Sequence, residues 1–227
     1  KGLHPRRWRL HSKIVITATA VLLAGGTAAF YFLERDVAFS GVPEGQKVLM
    51  AAFQSVTPRT AGFNTVDLMA LSESATLLTM MLMFVGAGSG STGGGIKVNT
   101  FAVLVLETLS QIRRKEDVNV FRRRLDEETI HRAHASVTMY IMACLLGCLV
   151  LCLQGISLEN ALYETISAIG TVGLTRGVTP ALPELSKAVV LLLMFAGRVG
   201  SMSVAMAVTR DHPAPRVRNV PEKILIG

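Results

Sequence analysis

Two short segments of the chain combine hydroxyl side chains with a central glycine. The first consists of Thr60, Ala61, Gly62, Phe63 and Asn64, and the second consists of Thr171, Val172, Gly173, Leu174 and Thr175. An extended backbone of this kind can present carbonyl oxygens that replace the hydration shell of a cation. Glycine suits its centre because a Cβ atom would restrict unusual φ angles and crowd the path. The pattern predicts cation coordination by backbone carbonyls, and glycines that merely pack ordinary membrane turns are the alternative.

A constant offset relates the two segments. They lie 111 residues apart, and the same offset superposes 82–86 (Leu-Met-Phe-Val-Gly) on 193–197 (Leu-Met-Phe-Ala-Gly). Self-similarity at a fixed spacing is typical of an internal repeat. The sequence therefore predicts a duplicated structural unit, with one glycine-centred segment in each copy.

A third candidate site is a run of small residues inside the apolar stretch 74–112. The run consists of Gly88, Ser89, Gly90, Ser91, Thr92, Gly93, Gly94 and Gly95, and Lys97 follows it. Such a run cannot form a regular helix that faces lipid, so we expect an intramembrane loop that lines a cavity. Residues 88–93 also match G-x-G-x-x-G, but no alternating strand precedes them and they interrupt an apolar run, which disfavours a dinucleotide site. Close helix packing would need fewer small residues.

Arg198 places a charge near the middle of the apolar run 188–208. An arginine at the centre of a membrane helix costs about 2.5 to 3.5 kcal/mol on insertion scales. Arg198 must therefore face water, a partner or the protein interior, and we expect a functional role rather than a purely structural one. Lys97 is a weaker candidate because its side chain could extend toward the cytoplasm.

The composition excludes several classes of protein. Half of the 227 residues are apolar, 17% are charged and the mean hydropathy is +0.45, which is atypical of a soluble enzyme. The net charge of +7 comes with only 6% aromatic residues, so no nucleic-acid partner is expected. The apolar segments contain no nucleophile and base pair, carboxylate dyad or metal cluster, which argues against an enzyme. The three cysteines, Cys144, Cys148 and Cys152, share one helical face and are expected to pack.

Four apolar stretches are long enough to span a membrane. They are 14–33, 74–112 with its interruption, 135–153 and 188–208, and twenty helical residues cover about 30 Å. Lys and Arg number five in 1–13, seven in 113–134 and four after residue 208. Because cytoplasmic flanks carry the excess of these residues, both termini are predicted to be cytoplasmic. The sequence predicts an all-α, multi-pass protein surrounded by membrane lipid.

Each outer connection contains a short apolar stretch of helical character. The stretches 44–56 and 158–169 are too short to span, so we expect re-entrant half-helices. Their C-terminal ends carry about half a negative elementary charge, which would favour a cation at mid-membrane. Ser157 is predicted to cap the second half-helix, with Glu159 in its first turn. The expected organisation is two repeats of helix, half-helix, extended segment and helix at 1–112 and 135–209, a basic cytoplasmic linker at 113–134 and a cytoplasmic tail at 210–227.

Four motifs together resemble the Trk/Ktr/HKT superfamily of potassium transporters and channels. They are Thr-Pro-Arg-Thr-Ala-Gly-Phe-Asn at 57–64, Gly-Ser-Thr-Gly-Gly-Gly-Ile-Lys at 90–97, Gly-Thr-Val-Gly-Leu-Thr at 170–175 and Gly-Arg-Val-Gly at 197–200. The resemblance covers nearly the whole chain and is nearest to the bacterial membrane subunits. It implies the third and fourth of four membrane-pore-membrane repeats around one pseudo-symmetric pore. Since the chain opens with Lys1 rather than Met, we expect a piece of a longer protein whose N-terminal repeats precede it.

The resemblance implies a role for each candidate site. Residues 60–64 and 171–175 would be two of four selectivity-filter walls that bind K⁺ through backbone carbonyls. Residues 88–97 would be the gate beneath the filter, with Arg198 beside it. The implied partners are a second copy of the subunit and a cytosolic nucleotide-binding regulatory ring, in a bacterial inner membrane, with K⁺ as the transported ion and no other cofactor in this chain.

Three points stay open at this stage. Selectivity for K⁺ over Na⁺ is not fixed by two of four walls. A non-conducting membrane scaffold or a membrane-embedded enzyme is the alternative function. Arg176 also departs from the family pattern, because a cation at the outer mouth would repel incoming cations unless Glu164 or Glu184 offsets its charge.

Overall fold

Seven α-helices make up most of the described chain. The computed structural model describes residues 8–91, 93–115 and 117–200. The helices are α1 (Leu10–Glu34), α2 (Glu44–Val56), α3 (Glu73–Phe84), α4 (Val98–Ile112), α5 (Glu127–Leu153), α6 (Leu158–Gly170) and α7 (Glu184–Val199). A 3₁₀ turn covers Thr179–Ala181, and strands β1 (Asn119–Val120) and β2 (Arg123–Arg124) pair in an antiparallel hairpin. The predicted helical fold is confirmed at this level.

Two of the described helices are long and apolar enough to cross a membrane. Helix α1 has 25 residues and α5 has 27, and their most apolar windows have mean hydropathies of 1.8 and 2.3. Helix α1 contains the run predicted at 14–33, and α5 contains the run predicted at 135–153. Helix α5 begins at Glu127, inside the stretch predicted as linker. Helix α7 is described to its cap at Gly200, so the remainder of the run to 208 and the tail lie outside the described residues.

The two shorter stretches predicted as half-helices are helical. Helix α2 has the predicted bounds, and α6 extends one residue further, to Gly170. Each has 13 residues and so measures about 20 Å. The prediction that Ser157 is the N-cap residue of α6 is confirmed. Ser157 occupies the N-cap position without a side-chain cap bond, and its backbone carbonyl accepts from Ala161 N–H at 2.8 Å.

The two halves of the chain share buried contacts. One apolar cluster joins Phe30 and Met83 of the first half to Tyr163, Val172 and Leu174 of the second. A second cluster packs α5, α6 and α7 together, and Cys144 and Cys148 are buried in it, as predicted. A third cluster joins α1 and α4 to residues around the β hairpin. The first cluster thus buries Val172 and Leu174 of the second glycine-centred segment, and the second cluster buries Ile96 after the glycine run.

Candidate functional site

The two glycine-centred segments have matching backbone conformations. Thr60 and Thr171 both have left-handed φ angles, of 69° and 52°. Gly62 and Gly173 are also left-handed, with φ angles of 75° and 88°. A threonine in this region is uncommon, and its recurrence at both positions shows that the offset of 111 residues extends to local geometry. The positive φ at each glycine is a conformation that other residues adopt only with strain.

A buried hydroxyl anchors each segment to its half-helix. Thr57 Oγ1 donates to the Phe63 carbonyl at 2.5 Å, and Ser167 Oγ donates to the Leu174 carbonyl at 2.6 Å. These two carbonyls therefore point toward the half-helices and away from any path between the segments. The carbonyls of Phe63 and Leu174 are therefore less suited to coordinate a cation than the prediction of a path along both whole segments assumes. The carbonyls of 60–62 and 171–173 remain the candidates for cation coordination.

The two segments lie directly against each other. A Cβ atom built on Gly62 would clash with the Val172 carbonyl oxygen, and one built on Gly173 would lie 4.0 Å from Gly62 Cα. The side chains of Val172 and Leu174 are buried in the shared core, with 3% and 2% of their surface exposed. The second segment thus turns its side chains inward and its Val172 carbonyl toward the first segment.

The glycine-rich loop is held closed at its base. Residues Val85 and Ile96 form an isolated parallel bridge, and Gly86 N–H donates to the Ile96 carbonyl at 2.9 Å. The helical break is wider than predicted, because α3 ends at Phe84 and α4 begins at Val98. Thr92 lies outside the described residues.

Lys97 points into the loop. Its Nζ donates to the Gly93 carbonyl, so the suggestion that this side chain extends toward the cytoplasm is not supported by its position. A lysine that closes a loop onto its own backbone stabilises that loop conformation through a charge-assisted hydrogen bond.

The loop packs against the first threonine of each glycine-centred segment. Gly94 N–H donates to Thr171 Oγ1 at 2.8 Å. A Cβ atom built on Gly93 would lie 2.5 Å from Thr60 Oγ1, and one built on Gly94 would clash with Thr171. The loop backbone therefore approaches both threonines more closely than any residue with a side chain would permit. The structure brings the predicted filter and the predicted gate into direct contact.

Arg198 lies beside this contact, in the last turn of α7. The preceding residue, Gly197, packs so closely on the Ile169 carbonyl that a Cβ atom would clash, and its own carbonyl lies 2.9 Å from a Cβ built on Gly94. Arg198 is exposed, and its charge acts on Lys97 of the loop. Two cations, Lys97 and Arg198, therefore lie near each other at the loop.

Arg59 is a site residue that the sequence reasoning missed. Its Nη2 lies 3.5 Å from the Gly86 carbonyl at the base of the loop, and its buried Nε makes no hydrogen bond within the described residues. Arg59 immediately precedes Thr60, so it joins the first filter segment to the loop. Its place inside the Thr-Pro-Arg-Thr motif could have pointed to it, since a charge beside a filter threonine invites a functional explanation.

The charge of Arg176 is offset by a carboxylate other than the two that were expected. Arg176 Nη1 pairs with Glu159 in the first turn of α6. Glu164 contacts Arg176 only through the backbone N–H, at 3.3 Å, and Glu184 pairs with Lys187. A carboxylate offsets the charge of Arg176, as expected, but the guanidinium pairs with Glu159 rather than with Glu164 or Glu184.

Comparison with known proteins identifies the class to which this arrangement belongs. Residues 4–219 match the family model described as TrkH, cation transport protein. The chain belongs to this family.

Curated relatives include potassium uptake proteins. The chain is 39% identical over 219 residues to Ktr system potassium uptake protein B of Vibrio alginolyticus, covering 92% of this chain and 48% of that protein. It is 33% identical to the potassium/sodium uptake protein NtpJ of Enterococcus hirae, covering 96% of this chain and 50% of the relative. The chain therefore spans about half the length of these relatives.

A solved structure has a similar fold. The crystal structure of the potassium transporter TrkH from Vibrio parahaemolyticus superposes with a TM-score of 0.76 at 19% identity, over 88% of this chain and 45% of that one. At this identity the likeness bears on the fold alone.

Proposed function

We propose that the chain supplies two of the four walls of a pathway for monovalent cations across a cell membrane. K⁺ is the proposed ion, with Na⁺ as the alternative. The observation that carries the proposal is the contact between the loop and the two glycine-centred segments. The loop backbone packs against Thr60 and Thr171, the residues at which the two segments begin, and would obstruct an ion path that runs along them.

The proposed filter acts by replacing the hydration shell of the ion. The carbonyls of 60–62 and 171–173 would coordinate a dehydrated cation, while the C-terminal ends of α2 and α6 would add partial negative charge at its level. The hydroxyls of Thr57 and Ser167 fix each segment at its outer end, which limits how far the walls can move. Two further repeats would complete the ring, which is consistent with relatives about twice the length of this chain.

The proposed gate is the loop at 88–97. In the described conformation it is held by three groups: Thr171 through Gly94 N–H, Lys97 through the Gly93 carbonyl, and Arg59 near the Gly86 carbonyl. Opening requires these contacts to be released together. Arg198, at the end of α7, would oppose cation passage by its charge and is placed to hold the loop.

The proposed setting is a bacterial inner membrane. We propose four spans with both termini cytoplasmic, since Lys and Arg concentrate in 1–13, 113–134 and the tail. The proposed partners are the N-terminal repeats, a second copy of the subunit and a cytosolic nucleotide-binding regulatory ring. The naming of relatives as components of a Ktr system supports an assembly of several parts.

Ion flux into liposomes tests the proposal against a non-conducting scaffold or a membrane enzyme. The complete transporter that contains this chain is reconstituted, and uptake of ⁸⁶Rb⁺ is measured against empty liposomes, with external K⁺, Na⁺ or choline as competitor. We expect uptake that K⁺ abolishes and choline does not affect. Uptake equal to that of empty liposomes, with the protein correctly inserted, would contradict the proposal.

A further inference from the structure

Glu164 is a buried carboxylate behind the outer end of the second filter segment. Only 4% of its surface is exposed, although it carries an ionisable group on α6. Its Oε1 accepts from the Thr175 hydroxyl at 2.5 Å and from Arg176 N–H at 3.3 Å. Its Oε2 accepts from the Thr179 hydroxyl at 2.6 Å. One side chain therefore fastens both the end of the filter segment and the turn that follows it.

The same turn carries a cation, Arg176. The Arg176 side chain is only 10% exposed, and its guanidinium pairs with Glu159, five residues before Glu164 on α6. Glu159 pairs with the guanidinium and Glu164 accepts from the backbone N–H of the same residue, so two carboxylates accompany one guanidinium and negative charge is in excess. Because a charged mouth changes the local concentration of cations, this balance bears on how readily an ion enters the filter.

The first repeat has a different residue at the equivalent position. The anchoring hydroxyls of Thr57 and Ser167 define the correspondence, since both bond the carbonyl after the filter glycine. Three residues before them are Gln54 and Glu164. Gln54 is fully buried, and neither its amide oxygen nor its amide nitrogen has a hydrogen-bond partner within the described residues. The two walls therefore differ in charge at one matched position. The offset of 111 residues does not pair Gln54 with Glu164, because the half-helices align at an offset of 110.

We propose that Glu164 is a positioning residue that sets the affinity of the outer mouth for cations. It acts through Thr175, Thr179 and Arg176, by holding the end of the filter segment and by outweighing the charge of Arg176. The proposal rests on the proposed function, because it assumes that 171–175 is a filter wall. It also predicts that the second wall contributes to ion entry in a way that the first, with Gln54, does not.

Substitution by glutamine separates charge from shape at this site. In Glu164→Gln the amide oxygen can still accept at one position, and the Thr179 hydroxyl can accept from the amide N–H instead of donating. We expect the KM for Rb⁺ uptake by the complete transporter to rise roughly tenfold, at the low end of effects seen for charged mouths. The maximal rate should stay within about twofold of wild type, and the KM should become less sensitive to ionic strength.

Removal of the opposing charge supplies the rescue. Glu164→Gln combined with Arg176→Gln should return the KM toward wild type, whereas a purely structural role for Glu164 would leave the double variant as impaired as the single one or worse. If Glu164→Gln inserts poorly, Glu164→Asp supplies a second test. It keeps the charge, so its KM should resemble that of wild type. Glu184→Gln is the matched control, because it removes an outer carboxylate that pairs only with Lys187 among the described contacts.

The outcomes distinguish this inference from the proposed function. A wild-type KM in Glu164→Gln, or a raised KM that Arg176→Gln does not correct, would overturn the role of Glu164. The Gly62→Ala variant is measured alongside for its competition by Na⁺. If Gly62→Ala alters selectivity while Glu164→Gln behaves as wild type, only this inference fails. If neither variant changes uptake, the filter assignment fails with it.

Discussion

Replacing Gly94 by alanine tests whether the loop is a gate. The backbone of Gly94 is not left-handed, so alanine introduces no strain of its own and acts only through contacts. Its Cβ would clash with Thr171 Oγ1 and would lie 2.6 Å from Thr171 Cγ2 and 2.9 Å from the Gly197 carbonyl. Carbon atoms normally pack at about 3.5 to 4.0 Å. The loop must therefore withdraw by about 1 Å from the filter threonine.

The free-energy cost falls on the closed conformation. Overpacking a tight site typically costs about 1 to 3 kcal/mol. Loss of the hydrogen bond from Gly94 N–H to Thr171 Oγ1 adds about 0.5 to 1.5 kcal/mol. Even the lower sum, about 1.5 kcal/mol, shifts the equilibrium between closed and open loop roughly tenfold toward the open state. Ion flux limited by loop opening should rise by a similar factor.

Uptake of ⁸⁶Rb⁺ by the reconstituted transporter measures this effect at equal protein abundance. Gly45→Ala is the matched control, because it adds the same methyl group in α2 where nothing lies within 4 Å of the new Cβ. We expect a large increase in Rb⁺ flux for Gly94→Ala and no increase for Gly45→Ala. Thr171→Val, which replaces the hydroxyl by a methyl group, should give a smaller increase in flux. Unchanged or lower flux in Gly94→Ala, with normal insertion, would refute the reasoning that the contact restrains the ion path.

Three further predictions concern charge, the loop and stability. If the charge of Arg198 dominates, Arg198→Gln should raise cation flux while Arg198→Lys resembles wild type. If loop anchoring dominates, Arg198→Lys should give the higher flux of the two variants. Equal flux in wild type and both variants would leave Arg198 as a structural residue. Deleting residues 88–95 should raise Rb⁺ flux with little change in ion preference, and loss of flux in an inserted protein would show a structural element instead. Glu34→Ala should lower the midpoint of thermal unfolding in detergent, because the buried carboxylate accepts from the Ser72 N–H at 3.0 Å and the Ser72 hydroxyl at 2.5 Å, bonds worth about 1.5 to 3 kcal/mol each to a charged group; an unchanged midpoint would contradict that value.

Local features of the fold follow from the sequence. The bounds of α2 could be predicted because an apolar stretch of helical character stops at Pro58, and the break between α3 and α4 could be predicted because glycines cannot sustain a helix. Ser157 shows the limit of such local rules. A serine at an N-cap position does not oblige its hydroxyl to bond, because the cap N–H groups can be satisfied otherwise.

Contacts between distant segments could not be predicted from spacing. The pairing of Arg176 with Glu159 and the bond from Gly94 to Thr171 join residues 17 and 77 positions apart, so they depend on how the segments pack. A sequence pattern places residues on an element, but it does not fix the distance between elements. The candidate filter residues were predicted from spacing, whereas their contact with the loop could be seen only in the structure.

Selectivity in Gly62→Ala and Gly173→Ala tests the central claim most directly. The measurement is the competition of ⁸⁶Rb⁺ uptake by Na⁺ in the complete transporter, with membrane abundance matched across wild type and both variants. At Gly62 a Cβ would clash with the Val172 carbonyl, and at Gly173 the left-handed φ of 88° disfavours any side chain. The account predicts reduced uptake or stronger competition by Na⁺ in both variants. Uptake and Na⁺ competition equal to wild type in both would contradict the assignment of these segments as filter walls.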